Sequence, residues 1–149
     1  MKIITPLGVG LGLSLFAAGP AAANITHTAS LEHASGPVQA QYRGAVVIAH
    51  KQVGAVAPPG ARTTLRCAWT ARIAVDRVAT TASGAVASRS FDTGGVAKGS
   101  RAGWCKTNRP AIAQEVAGRL RDADRHLARA VQKDRPVLLS EVDRIHDPA

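Results

Sequence analysis

Hydrophobic and polar positions alternate with a period of two from Val38, where Val38, Ala40, Tyr42, Val46 and Ile48 fall on one parity and Gln39, Gln41 and Arg43 on the other. That alternation predicts a half-buried strand. Ala57-Pro58-Pro59-Gly60 closes it with a turn. A second strand is better defined: Leu65, Cys67, Trp69, Ala71, Ile73 and Val75 alternate with Arg66, Ala68, Thr70, Arg72, Ala74 and Asp76. One face is apolar and carries Cys67; the other is mostly polar and basic. A turn around Ala82-Ser83-Gly84 leads to a weaker strand from Ala85 to Asp92, and such short connections favour antiparallel pairing.

Residues 92–103 are rich in Gly, Ser and Lys and are expected to form a loop. Beyond it the period changes to 3.6. Ile112, Val116, Leu120, Ala123, Leu127, Ala130 and Val131 make one apolar stripe, with Asn108 as the expected cap and Pro110 in the first turn. Asp134-Arg135-Pro136 predicts a break, followed by a short second helix capped by Asp134 and carrying Leu138, Val142 and Ile145. A sheet with one apolar face and a helix with one apolar stripe satisfy each other by packing together. The expected fold is α+β: a small antiparallel sheet of three to four strands against a C-terminal amphipathic helix plus a short second helix.

The N-terminal residues show no such alternation. Lys2 precedes an uncharged apolar stretch, Ile3 to Ala18, then Gly19-Pro20 and Ala21-Ala22-Ala23. This order reads as a secretory signal peptide over 1–23, cleaved before Asn24, with an uncleaved anchor as the alternative. The apolar stretch is shorter than the roughly 20 residues that a spanning helix needs, and no transmembrane segment is expected in the mature chain. Residues 24–37 read as a flexible leader ending in the breaker Ser35-Gly36-Pro37, and 38–149 as one domain. Export would place Cys67 and Cys105 in an oxidising compartment, periplasm or medium, where a disulfide is expected; two free thiols are the alternative. The bond would tie the start of the helix to the middle of the sheet.

Charge adds a direction. The 19 Lys and Arg against 10 Asp and Glu give +9, of which Lys2 contributes one. Between residues 40 and 109 the only acids are Asp76 and Asp92, whereas from residue 110 onward the two signs balance, so the excess belongs to the strands. Arg43, Arg62, Arg66 and Arg72 are the candidate anion-binding residues, with Arg66 and Arg72 on one parity. Such a face attracts lipid phosphates or acidic polymers, although an Arg-rich surface also serves solubility alone. Specific nucleic-acid binding is not expected, because the aromatics fall mainly on core positions rather than forming a stacking platform.

Other motifs are weaker. Gly94-Gly95-Val96-Ala97-Lys98-Gly99-Ser100 has the wrong residue order for a phosphate loop. His27, Glu32 and His33 lack the spacing of a built metal site, so neither metal nor cofactor is expected. His50, His126 and His146 could each act as a base, yet no nucleophile elbow or zinc helix accompanies them. The leading expectation is therefore an exported, non-catalytic envelope protein that binds a partner protein or an anionic surface polymer or lipid through a basic sheet face. The alternatives are a small secreted hydrolase with a histidine base, and a disulfide-stabilised inhibitor presenting residues 92–103.

Overall fold

The structure, a computed structural model, describes residues 24–147; the expected signal peptide lies outside the described residues. Four strands, β1 (Asn24–Leu31), β2 (Val38–Val53), β3 (Arg66–Thr80) and β4 (Val86–Ala102), are followed by α1 (Cys105–Arg119) and α2 (Ala123–His146). The strands form one antiparallel sheet in the order β1-β2-β3-β4, a simple meander. Both helices pack on one face of it, so the α+β expectation holds. Among the described residues no helix is long and apolar enough to cross a membrane.

The alternation read from the sequence sets which face is covered. Along β3, Cys67, Trp69, Ala71, Ile73 and Val75 are buried, while Arg66, Thr70, Arg72 and Asp76 are exposed. Val38, Ala40 and Tyr42 of β2 join the same core, against Ile112 and Val116 of α1 and Leu127, Leu138 and Val142 of α2. Each fully buried Ile or Leu side chain contributes about 1.5–3 kcal/mol. Of the large aromatics, Tyr42 and Trp69 are buried and Phe91 half-buried, but Trp104 is exposed. Trp69 lies across Gly99 of β4, where a Cβ would come within 2.6 Å of the indole; only glycine fits there.

Two expectations about the strands are corrected. Residues 24–31 of the expected leader form a strand: β1 pairs with β2 from Asn24↔Ala45 to Leu31↔Val38. Its Thr- and Ser-rich outer face carries no apolar signal, and its half-buried Ile25 and Ala29 acquire meaning only beside β2. Residues 92–103 are not a loop either, because β4 runs through them to Ala102. Small residues such as Gly99 are selected there by close packing, and the register shifts between Ala71 and Ala74 absorb the irregularity opposite Gly94-Gly95. The inhibitor alternative therefore loses its loop.

The helix boundaries also differ. The break falls between Arg119 and Ala123, and α2 continues through Pro136. Pro136 and Gln132, whose carbonyl loses its helical partner, are both exposed, and water can satisfy that oxygen. Asp134 is thus no cap; it sits buried in mid-helix. At the other end, α1 starts at Cys105, ahead of Asn108. Its first N–H donates to Gln52 Oε1 of β2 at 2.8 Å, a cap supplied by a residue 53 positions away. Gln52 Nε2 donates in turn to the carbonyls of Arg66 and Gly103.

Cys67 and Cys105 are disulfide-bonded, with Cα atoms 4.7 Å apart, so the helix start is joined to the central strand as expected.

Candidate functional site

Cross-strand register places three side chains in a row on the covered face: Tyr42 of β2 opposite Arg77 of β3, and Arg77 opposite Arg89 of β4. Arg77 continues the buried parity of Ile73 and Val75 and has nowhere to go but into the core. There α2 meets the row with Asp134. Arg77 donates to Asp134 Oδ2 at 2.8 Å, Arg89 to Asp134 Oδ1 at 2.5 Å, and the Tyr42 hydroxyl to Oδ2 at 3.1 Å. Arg77 also pairs with Glu141, two helical turns further along α2. Two guanidinium groups face two carboxylates, so the cluster is neutral as a whole. The Arg77 Nε is left without a partner among the described residues.

Burial is nearly complete: the side chains of Arg77 and Asp134 are 0% and 1% exposed. Burial first, then the Asp134 carboxylate, pushes the Tyr42 hydroxyl from 10.0 up to about 12. An unfolded chain loses this proton near pH 10, whereas the folded chain holds it until about pH 12. The resulting stabilisation is complete below pH 10 and is lost as pH rises through 12. At about 1.4 kcal/mol per pKa unit it is on the order of 2–3 kcal/mol. Tyr42→Phe should therefore show a shallower fall in stability between pH 10 and 12 than wild type, measured by urea unfolding. Identical slopes would contradict this role for the phenol.

Beside the cluster lies a cleft of about 470 Å³ between β4 and α2. Arg89 and Asp134 form part of its wall, with Phe91 and Val96 from the strand and His126, Arg129, Lys133 and Val137 from the helix. Helical spacing brings His126, Arg129 and Lys133 to one flank. Arg89 lies 5.2 Å from the centre of the Phe91 ring, which it covers.

The residues singled out from the sequence lie elsewhere. Arg43, Arg66 and Arg72 are exposed on the uncovered face of the sheet, and Arg62 is exposed in the connection between β2 and β3. Arg66 and Arg72 are six residues apart along β3, roughly 20 Å at 3.3 Å per residue, so they form a stripe rather than converge on a point. Acids partly balance them: Arg43 stands opposite Asp76 and Arg72 lies 3.8 Å from Asp92. Lys51 and Lys98 are exposed on the same face.

His50 and His126 line different clefts. Near His126, the Thr93 hydroxyl already accepts from the Ile73 N–H and donates to the Gly94 carbonyl. His27 faces the row beside Tyr42, whereas His33 bonds Ser35 and Asp143 and stacks on His146, ring centres 6.0 Å apart. Among the described residues no group of three His, Cys, Asp or Glu is placed to hold a metal ion.

The sequence reading missed the buried cluster. Its signal was present: Arg77 breaks a run of apolar residues on the core parity of β3, and Asp134 lies on the helical stripe between Val131 and Leu138. No family model, curated protein or solved structure matches this chain.

Proposed function

We propose that this is an exported binding protein, non-catalytic, that engages an anionic surface polymer or lipid, or an acidic partner protein, through the uncovered face of its sheet. The observation that supports this reading is the asymmetry of the sheet. Both helices cover one face, and on the other Arg43, Lys51, Arg66, Arg72 and Lys98 are exposed against Asp76 and Asp92. A stripe of spaced cations suits an extended, repeating anion better than a compact one, because each charge meets a separate group. Export, to the periplasm or the medium, rests on the N-terminal sequence and is supported by the disulfide, a bond that persists in oxidising compartments.

Binding to phosphatidylglycerol vesicles and to a sulfated polymer, measured across a salt series, tests the proposal. Arg66→Glu/Arg72→Glu is expected to weaken binding to at least one of the two on the order of tenfold and to flatten its salt dependence. Equal affinity and equal salt dependence for both probes would remove the sheet face as an anion site.

A further inference from the structure

We propose that the cleft between β4 and α2 is a second, separate binding site, for a small anionic amphiphile: a phosphate or carboxylate carried on an apolar chain. Its charge balance points that way. Arg77 and Arg89 are matched by Asp134 and Glu141, and Asp92 on the rim faces Arg72. Arg129 and Lys133 have no acidic partner among the described residues, yet both line the cleft and both are exposed to an incoming ligand. The cleft therefore keeps two uncompensated positive charges, with the His126 imidazole on the same flank.

Part of the remaining wall is apolar. Phe91, Val96, Ala130 and Val137 border the same space, and none of them offers a side-chain hydrogen bond. A fully hydrated ion would leave this wall facing water, and a neutral hydrocarbon would leave Arg129 and Lys133 unused. A ligand with one charged end and one apolar end satisfies both. The volume, about 470 Å³, lies within the range of small-molecule sites. The floor is also rigid. Asp134 is held by three donors, so Arg89 and the α2 backbone around it are positioned before any ligand arrives.

Calorimetric titration of the purified protein with dodecyl phosphate and with dodecanoate, each below its micellar concentration, tests the site and separates the two headgroups. Saturable one-to-one binding is expected for at least one of them. Inorganic phosphate and a neutral dodecyl glycoside are each expected to bind at least tenfold more weakly. Arg129→Ala/Lys133→Ala should weaken the amphiphile at least tenfold. Lys51→Glu/Arg66→Glu, on the opposite face and away from Asp92, should leave it unchanged, so this site and the sheet-face reading fail independently. Amide shifts in the wild-type spectrum should centre on Phe91, Val96 and Val137, a readout that needs no variant to fold. The proposal is overturned if neither amphiphile saturates, if phosphate or the neutral glycoside binds as tightly, if the double alanine variant binds like wild type, or if the shifts lie elsewhere.

Discussion

Asp134→Ala is expected to destabilise the protein by about 3–5 kcal/mol, because it leaves the fully buried Arg77 guanidinium with Glu141 as its remaining acid and removes the acceptor of Arg89 and Tyr42. Against a typical total of about 5–15 kcal/mol, such a loss places the variant near unfolding at ambient temperature. The penalty comes from an uncompensated buried charge rather than from the small cavity left by the carboxylate. Two comparisons separate these causes. Arg77→Met/Asp134→Leu removes both charges and should be less destabilised than Asp134→Ala, even though it changes more atoms. Asp134→Asn keeps the volume but not the charge and should stay close to Asp134→Ala. Urea unfolding midpoints measure all three. An Asp134→Ala variant within 1 kcal/mol of wild type would mean that the cluster is far better hydrated than its burial implies.

Loss of the Cys67–Cys105 bond has an expected effect of similar size. The two residues are 38 positions apart, and closing a loop of that length restricts the unfolded chain by about 4 kcal/mol on the chain-entropy account. The bond also holds the first residue of α1 against the start of β3, where Gln52 supplies the only cap hydrogen bond to the Cys105 N–H among the described residues. Cys67→Ala/Cys105→Ala avoids placing a hydroxyl in the fully buried Cys67 site and is expected to unfold at markedly lower urea concentration than the oxidised protein. Reduction of wild type should reproduce most of that shift. If reduced and oxidised protein unfold at the same midpoint, the sheet and Gln52 alone hold the helix start.

Much of the architecture was legible because alternation is a local signal. The core parity of β3 from Cys67 to Val75 and the apolar stripe of Ile112, Val116 and Leu127 each follow from residues whose burial depends on their own element, and a chain with two cysteines leaves one possible pairing. The candidate chemistry was less legible. The arginines that stood out in the sequence were the solvent-facing Arg66 and Arg72, which form a spaced stripe. The arginine that organises the interior, Arg77, looked like one more basic residue, because its acids lie 57 and 64 positions away.

Glycine-rich and polar segments failed as loop signals for a related reason. Gly99 is a strand residue because the Trp69 indole occupies the space a side chain would need, and β1 is a strand because β2 offers its backbone a ladder. Neither cause lies within the segment itself. Pro136 likewise reads as a helix end, yet Asp134 before it and Leu138 after it are both anchored in the core, and their packing outweighs one lost hydrogen bond.

The amino-acid order by itself determined which face of each central strand is apolar and which helical positions form the buried stripe, since these depend on side chains a few positions apart. Tertiary structure alone decided that Tyr42, Arg77 and Arg89 share one row, that Asp134 closes it, and that a cleft with two unmatched cations opens beside it. Those outcomes depend on strand register and on how α2 lies across the sheet, and both are set by the packing of the whole core rather than by any single segment.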